Sequence, residues 1–466
     1  MHKPCHYYLL PIGGTATAAL AGLLHDAGEC VSGVDAALYP PTLELLAELG
    51  VPVRIGFDGA AIPGDVDQVI IGNAVPRSNV EVAAVLARGL PYTSQAEAFG
   101  ARFCAGARTV VVAGTHGKTT TTALAAHIFT VAGLDPTTLI GGVPRGGRPW
   151  RLGAGAWTVV EGDEYNTAFF DRGPKFLHYR PHLFVVGNVE FDHGDIYPDL
   201  AAILAAFRAG TAQVGGDGHV VANAADDGAR AAVDGHPRVV WYGLDPGCDL
   251  ACTGWRHVDG QLHAALRWYG ESFEVRVPLV GRHNLDNLLA ATACALLANI
   301  APAAIASAAA TFPGVRRRLE VVGEARAITV VDDFAHHPTA VALTLAGARH
   351  RFPGRRLVAV FEPRSLTAGR RLFARAYEQA LAVADVALLA PVFHRKRLGA
   401  DDTLDREAVV AAVQARGVSA AALPDDSDLA HAVIPHLRAG DVVVCMSSGD
   451  FGGLPRQLLD LLRRSA

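Results

Sequence analysis

The sequence lacks the features that would assign it to a membrane, to nucleic acid or to an oxidising compartment. Its seven cysteines form no CxxC pair, which argues against a disulfide framework and a zinc ribbon and predicts reduced thiols in a cytoplasmic protein. The Ala-rich apolar stretch at 288–298 is shorter than the roughly 20 residues that a membrane span needs. A net charge of -5 provides no basic field for duplex binding. We therefore expect neither membrane nor nucleic acid as a partner, and the sequence indicates no oligomeric state.

Glycine is abundant, with 49 residues, and the chain of 466 residues is too long for one hydrophobic core. Strand, turn and helix patterns alternate along it. We predict an α/β protein with a Rossmann-like N-terminal domain at 1–107, a P-loop central domain at 108–312 and a Rossmann-like C-terminal domain at 313–466. Within the central domain, 215–275 is predicted to leave the parallel sheet as antiparallel strands.

The N-terminal domain begins with a predicted strand at 7–12, a glycine-rich turn and a helix. The turn and the ends of two further strands carry polar or small residues, namely Gly13, Gly14, Thr15, Asp35 and Asn73. Ligands of open α/β sheets bind at the carboxyl ends of the strands. The pattern therefore predicts a nucleotide-type ligand at this edge.

The strongest local motif is a strand-to-helix turn in the central domain. Its residues are Gly114, Thr115, His116, Gly117, Lys118, Thr119 and Thr120. Backbone N–H groups of such a turn bind phosphate, Lys118 would neutralise the β- and γ-phosphates, and the Thr119 hydroxyl would bind Mg²⁺. The motif predicts an ATP site. Val112 replaces the first glycine of the common eight-residue pattern, so only its compact core is present.

Polar residues follow two more predicted strands of the central domain. The run EGDEY occupies 161–165, and NVEFDH occupies 188–193. Because the carboxyl ends of parallel strands meet at one edge, we expect a magnesium ligand among the acids at 161–164 and a functional role for His193, with Asn188 at the same edge. A solvated acidic turn and a structural histidine are the alternative interpretations.

Two amides three residues apart, Asn284 and Asn287, would face one side if Asn287 opened a helix. Asparagine offers both a donor and an acceptor, which suits a nucleotide. Helix capping explains the same pair equally well.

The C-terminal domain combines apolar runs with charged clusters. Strands are predicted at 328–331, 357–361, 386–389 and 442–445. Charged clusters of this domain contain Arg318, Asp333, His336 and Arg364. The alternation of strands and helices predicts another parallel sheet.

In order along the chain, GTHGKTTTT, EGDEY, NVEFDH, HNLDN, RRRLE and DDFAHHP resemble the signature motifs of the Mur ligases, ATP-dependent ligases that form amide bonds in peptidoglycan metabolism. The resemblance implies a UDP-sugar in the N-terminal domain, ATP and Mg²⁺ in the central domain and a peptide in the C-terminal domain. It implies catalytic roles for Lys118, Glu161, His193 and Arg318, with Thr119 and Glu161 as magnesium ligands and His193 in a second metal site. It implies nucleotide contacts for Asn284, Asn287, Arg318 and Asp333, and substrate contacts for Gly13, Gly14, Thr15, Asp35, Asn73, Asn188, His336 and Arg364.

Within that family, the stretch 167–179 and the motif EPRS at 362–365 resemble the recycling branch. That branch joins UDP-N-acetylmuramate to the murein tripeptide L-alanyl-γ-D-glutamyl-meso-diaminopimelate through an acyl phosphate. The alternatives are a UDP-N-acetylmuramate:L-alanine ligase and a non-catalytic nucleotide-binding regulator. A NAD-linked dehydrogenase, suggested by the first βαβ unit alone, would leave the phosphate turn unexplained.

The chain departs from the family pattern in three places. After the motif EPRS it reads Leu-Thr-Ala-Gly at 366–369, which does not match that pattern and weakens the case for a specific peptide. Pro11 and Ala16 replace glycines of the first turn, which weakens the case for a close approach of a diphosphate. Arg208 stands where several Mur ligases carry a carbamylated lysine, so a second Mg²⁺ would have to be held without that group.

Overall fold

The computed structural model describes residues 3–40, 42–194, 196–425 and 428–464. Large sheets follow one another along the chain in three α/β units, and each sheet has apolar clusters on both faces. The predicted fold class is confirmed. Within the described ranges, all helices are too short or too polar to cross a membrane.

The N-terminal unit contains a parallel sheet. Its strands are β1 (His6–Leu10), β2 (Cys30–Asp35), β3 (Val53–Ile55), β4 (Gln68–Ile71) and β5 (Tyr92–Ser94), and its helices are α1 (Thr15–Asp26), α2 (Thr42–Glu48), α3 (Val80–Arg88) and α4 (Gln95–Phe99). The order β3-β2-β1-β4-β5 reverses direction between β1 and β4. Such a switch point is where open α/β sheets bind ligands. The first strand ends at Leu10, earlier than predicted, because Pro11 has no N–H to continue the ladder.

The central unit has the largest sheet. Its strands are β6 (Arg108–Ala113), β7 (Thr137–Leu139), β8 (Trp150–Arg151), β9 (Trp157–Glu161), β12 (Pro181–Val186), β13 (His219–Asn223), β14 (Val239–Gly243), β15 (Leu250–Val258), β16 (Gln261–Trp268) and β17 (Glu271–Val277), and a separate hairpin contains β10 (Asn166–Ala168) and β11 (Asp171–Pro174). Its helices are α5 (Lys118–Val131), α6 (Leu200–Thr211), α7 (Asp227–Val233), α8 (Arg282–Leu297) and α9 (Pro302–Ala310). The order is β17-β16-β15-β14-β13-β12-β6-β9-β7-β8, so β12, β6 and β9 are adjacent and parallel.

The antiparallel part of the central sheet is smaller than predicted. Only β15, β16 and β17 pair antiparallel within 215–275, whereas β13 and β14 extend the parallel part. The segments that join consecutive strands explain this difference. Two-residue turns with positive φ, at Asp259-Gly260 and Tyr269-Gly270, join the antiparallel strands, whereas helix α7 provides a crossover between β13 and β14.

The C-terminal unit contains a third sheet. Its strands are β18 (Glu320–Ala325), β19 (Ile328–Asp333), β20 (Leu357–Phe361), β21 (Val386–Leu389), β22 (Ser419–Ala422) and β23 (Val442–Met446). Its helices are α10 (Pro338–Arg351), α11 (Ala374–Leu381), α12 (Arg395–Leu398), α13 (Arg406–Ala415), α14 (Leu429–Val433) and α15 (Leu454–Arg464). The order is β18-β19-β23-β20-β21-β22, and only the β18–β19 pair is antiparallel. The four predicted strands are present at or within two residues of their predicted positions.

Candidate active site

A cleft of about 1600 Å³ lies where the three units meet. Its walls include Tyr39 from the N-terminal unit, Lys118 from the central unit and Arg318 from the C-terminal unit. Because the walls come from separate units, movement of one unit would change the shape of the cleft.

The predicted phosphate turn lies between β6 and α5, at the floor of this cleft. Gly114 has φ +140° and Gly117 has φ +82°, conformations that favour glycine. A Cβ at Gly117 would lie 2.3 Å from the Asn287 Oδ1, so space as well as conformation requires glycine there. Helix α5 begins at Lys118, which directs its N-terminal N–H groups toward the turn. The turn therefore has the geometry of an anion site.

A buried chain of charged groups supports the turn. The Lys118 Nζ lies 2.8 Å from the Glu164 Oε2, and the His193 Nε2 lies 2.9 Å from the Glu164 Oε1. The Glu164 side chain is only 2% exposed. Burial opposes protonation of His193, but the bond to Glu164 prevails and raises the pKa of His193 to about 9. The Glu164 carboxylate thus faces two positively charged neighbours, Lys118 and His193.

A second carboxylate, Glu161, lies at the end of β9 beside the helix start. Its Oε1 accepts from the Thr119 hydroxyl at 3.1 Å, and its Oε2 accepts from the Gly141 amide at 2.8 Å. Arg318 brings its Nη2 to 3.5 Å from the Thr119 Oγ1. Burial raises the pKa of Glu161 although Lys118 is near. A hydroxyl and a half-buried carboxylate that lines the cleft are oxygen ligands that fit Mg²⁺.

Asn188 follows β12, and its side chain is hydrogen-bonded to the backbone of the phosphate turn at His116. Its Oδ1 accepts from the His116 amide at 2.7 Å, and its Nδ2 donates to the His116 carbonyl at 3.1 Å. The next acid along, Glu190, accepts from the Thr339 hydroxyl of the C-terminal unit at 2.7 Å. The predicted substrate contact Asn188 is therefore engaged with the turn, and Glu190 joins two units.

The predicted pair Asn284 and Asn287 lies within α8, because that helix begins at Arg282 and not at Asn287. The Asn287 Nδ2 donates to the Asn284 Oδ1 at 2.9 Å, and the Asn287 Oδ1 accepts from the Thr121 hydroxyl at 3.1 Å. Both side chains line the cleft behind the phosphate turn. The pair fixes α8 against α5, and its contact with a nucleotide stays a prediction.

The predicted residues of the C-terminal unit have different surroundings. Asp333 is buried, and its Oδ2 accepts from the Leu319 amide at 2.7 Å while its Oδ1 accepts from the Ala335 amide at 2.8 Å. The His336 Nε2 lies 3.8 Å from the Asp192 Oδ2 across the unit boundary. Asp333 thus shapes the loop after β19, and His336 is placed to meet a substrate in the cleft.

Arg364 follows β20 near the outer wall of the cleft. Its Nη1 lies 3.1 Å from the Asp450 Oδ1, and its guanidinium lies 4.1 Å above the centre of the Phe393 ring. Both contacts hold the guanidinium in place. The Arg364 Nη1 also lies 3.5 Å from the Glu362 Oε2, so two carboxylates already compensate this cation. The adjacent Ser365 lines the cleft.

The predicted UDP-sugar residues of the N-terminal unit lie at the switch point of its sheet. The Gly13 amide donates to the Asp35 Oδ2 at 2.7 Å, so Asp35 shapes the glycine-rich turn. Gly14, Thr15 and Asn73 line a cavity of about 200 Å³ between this turn and the central unit. The structure therefore brings these predicted residues together, although Asp35 acts on the turn itself.

Two residues of the buried cluster, Glu164 and Asp192, were not predicted from the sequence. Glu164 lies inside the motif EGDEY, but the sequence offers no criterion for choosing it over Glu161. Asp192, whose neighbours His193 and His336 hold its pKa far below the usual range against the effect of burial, was likewise not chosen. Arg208 is exposed, and its Nε donates to the Ala231 carbonyl at 3.0 Å, away from the cleft.

Three family models match successive parts of the chain. The Mur ligase family catalytic domain matches residues 6–105, the Mur ligase middle domain matches 155–295, and the glutamate ligase domain of Mur ligases matches 317–449. Each match falls in a different unit, and residues 106–154, which contain the phosphate turn, lie between the first two matches.

Two similar curated proteins have different acceptors in their names. The UDP-N-acetylmuramate–L-alanyl-γ-D-glutamyl-meso-2,6-diaminoheptandioate ligase of Escherichia coli is 36% identical over 98% of each chain. The UDP-N-acetylmuramate–L-alanine ligase of a Roseiflexus species is also 36% identical, over 98% of this chain and 99% of its own.

Solved structures give the same pair of names. A murein peptide ligase from Psychrobacter arcticus has a TM-score of 0.75 at 31% identity and 98% coverage of both chains. A UDP-N-acetylmuramate–alanine ligase from Thermotoga maritima has a TM-score of 0.80 over the whole of both chains, and its 22% identity indicates a shared fold alone.

The buried charge chain predicts the titration of His193 in the metal-free protein. We expect an imidazole pKa near 9, and a fall toward the ordinary 6.5 in Glu164→Gln because that variant removes the carboxylate partner. Since the folded pKa lies above the unfolded one, the associated stabilisation is fully present below pH 6.5 and is lost as the pH rises through about 9.

NMR of the His193 ring across that pH range measures the pKa. Glu48→Gln, at an exposed site of the N-terminal unit, is the control and should leave the titration unchanged. A His193 pKa near 6.5 in the unmodified protein would contradict the role given to Glu164.

Proposed function

The chain belongs to the Mur ligase family, and from that membership we propose that it joins UDP-N-acetylmuramate to L-alanyl-γ-D-glutamyl-meso-diaminopimelate with consumption of ATP. It is an ATP-dependent ligase that forms an amide bond. The observation that carries the proposal is the convergence of Lys118, Glu161, His193 and Arg318 at one cleft in a chain similar over its full length to the Escherichia coli tripeptide ligase.

The central unit is suited to phosphoryl transfer. In the proposed reaction an oxygen of the lactyl carboxylate attacks the γ-phosphorus of ATP, the bond to the ADP oxygen breaks, and an acyl phosphate forms. The amide groups of the turn and the Lys118 ammonium would hold the phosphates, and Arg318 would add positive charge from the opposite wall. Lys118 is available for this role because a ligand phosphate can compete for its contact with Glu164.

Amide formation then requires the peptide amine at the acyl carbon. The amine nitrogen attacks that carbon, and collapse of the tetrahedral intermediate expels phosphate while the amine loses a proton. Burial lowers the pKa of His336 even though Asp192 favours its charged form, so this imidazole is neutral at pH 7. A neutral ring on the cleft wall can bind the incoming amine or accept its proton.

Magnesium fits the donors of the site. We propose that Thr119 and Glu161 hold one Mg²⁺ and that His193 belongs to a second metal site. Bound Mg²⁺ supplies neutralisation of phosphate charge. The Thr119 hydroxyl and Glu161 carboxylate already lie within hydrogen-bonding distance of each other, so little rearrangement is needed to direct both at one ion. Because His193 is protonated beside Glu164, it must release a proton before it can bind a cation.

The acceptor is the finer part of the proposal. The L-alanine ligase of Roseiflexus is as similar in identity as the tripeptide ligase of Escherichia coli. The tripeptide is favoured by Arg364, since a fixed guanidinium suits the extra carboxylates of a longer acceptor, and by the 31% identical murein peptide ligase structure. We place the enzyme in the cytoplasm, consistent with seven cysteines that are all free.

One experiment tests both the reaction and the acceptor. Purified protein is incubated with ATP, Mg²⁺ and UDP-N-acetylmuramate and is given either the tripeptide or L-alanine, with phosphate release and the UDP-linked product measured. We expect product with the tripeptide and a much lower kcat/KM with alanine. A higher kcat/KM with L-alanine would assign the chain to the alanine-adding branch, and ATP turnover without a UDP-linked product would overturn the ligase proposal.

Replacing Lys118 by Ala is predicted to reduce kcat on the order of 10³-fold, because loss of one preorganised positive donor removes stabilisation of the transferring phosphoryl group. The exposed Lys396→Ala is the matched control and should retain full activity. Thermal unfolding of both variants checks that the loss is not caused by unfolding. Activity near the unmodified level in Lys118→Ala would refute the ATP site.

Replacing Arg364 by Ala is predicted to lower kcat/KM for the tripeptide by about 10- to 100-fold, the range for a hydrogen-bonded charge pair. Any residual use of L-alanine should change little, because alanine lacks the distal carboxylates. Arg395→Ala removes an exposed arginine of the same unit and serves as the control. An equal loss of kcat/KM with both acceptors would show that Arg364 does not contribute to recognition of the peptide.

A further inference from the structure

We propose that His116, Glu190 and His337 form a binding site for a zinc-type divalent cation, here called the bridging site. His116 and Glu190 belong to the central unit, whereas His337 precedes α10 of the C-terminal unit. The bridging site shares no residue with the proposed magnesium site. Its occupant would join the two units across the cleft.

The three donor atoms already have the spacing of a metal site. The His116 Nε2 and the His337 Nδ1 each lie 3.5 Å from the Glu190 Oε2, and the three ligand atoms lie within 4.8 Å of one another. A tetrahedral zinc ion with bonds of about 2.0–2.1 Å keeps its ligand atoms about 3.3 Å apart. Two of the three separations therefore match, and the third requires a small approach of the rings.

Hydrogen bonds among the described residues do not satisfy every polar atom of the bridging site. The His116 Nε2 is buried and has no hydrogen-bond partner among the described residues. The His337 Nδ1 accepts a long bond of 3.3 Å from the Thr339 amide, and this bond must be given up before the same lone pair can bind a cation. The two rings lie side by side, with centroids 4.7 Å apart and planes inclined by 40°. The Glu190 carboxylate thus faces one nitrogen of each imidazole ring. A cation bound between these three atoms would interact favourably with all of them.

The protonation states suit a metal. Burial lowers the pKa of His337 to about 4, so the ring is neutral at pH 7 and can act as a ligand. Burial alone would raise the pKa of Glu190, but the neighbouring His116 and Thr339 lower it to about 2, so the carboxylate is charged. Metal binding at neutral pH therefore needs no proton release from these two groups.

The donor set selects the class of ion. Two imidazoles and one carboxylate favour Zn²⁺ and its neighbours such as Co²⁺, whereas Mg²⁺ prefers oxygen ligands in an octahedral shell. His116 and Glu190 also line the cleft, which leaves a fourth position open toward solvent or substrate. Because His116 is part of the phosphate turn, an ion there would tie the turn to α10 and slow the opening of the cleft.

The test uses Co²⁺ as a spectroscopic probe on the full chain with excess Mg²⁺. We expect one equivalent to bind with visible d–d absorption, and His337→Gln to weaken binding by at least about tenfold through loss of a ligand. His350→Gln is the matched control, since His350 lies on the same helix and its ring contacts His257. Equal Co²⁺ affinity in the unmodified protein and His337→Gln would overturn the bridging site.

A second measurement on the unmodified protein remains decisive if His337→Gln does not fold. X-ray absorption of the Zn²⁺-loaded chain should show nitrogen and oxygen neighbours with the scattering pattern of imidazole. Sulfur neighbours would assign the ion to cysteines and refute the proposal. Neither measurement depends on ligase turnover, so failure of the proposed reaction and failure of the bridging site are distinguishable.

Discussion

The parallel pairing of β12, β6 and β9 is the constraint on which the active site depends. It brings the ends of three strands that are distant in sequence to one edge, where Lys118, Glu164 and His193 can share a buried network. The interaction within that network is electrostatic and strong because water is largely excluded. Each charge is acceptable there only because the others are present, so the phosphate turn and the two acidic loops act as one unit.

The C-terminal unit completes the site through a few polar contacts. Arg318 approaches Thr119, Thr339 donates to Glu190, and the Arg370 Nη1 donates to the Gly194 carbonyl at 3.3 Å. Backbone bonds between 143–145 and 314–316 add to these contacts, and Val280 of the central unit packs into the apolar cluster of the C-terminal unit. Movement at this boundary would suit an enzyme that must admit a nucleotide and two further substrates, and it would uncover the packing of Val280.

Specificity and chemistry occupy different parts of this molecule. The phosphate turn and its acids follow from motifs that the whole family shares, and relatives with different acceptors are equally identical to the chain. Residues outside those motifs are therefore the candidates for selecting the acceptor, and Arg364, which contacts Asp450 and Phe393, is the one that we propose. Because these motifs do not differ with the acceptor, they indicate the family but do not indicate which acceptor is used.

The α/β class, four of the six strands of the C-terminal unit and the phosphate turn could be predicted from the sequence, because alternating apolar runs, turn glycines and a lysine at a helix start are local signals. It also identified the loops that meet at the cleft. Only the tertiary structure decided that Glu164 bridges Lys118 and His193, that Asn287 supports the turn from within α8, and that Arg208 lies away from the site. These outcomes depend on strand order and on which side chains face each other across units, and such long-range geometry leaves no periodic trace in a single sequence.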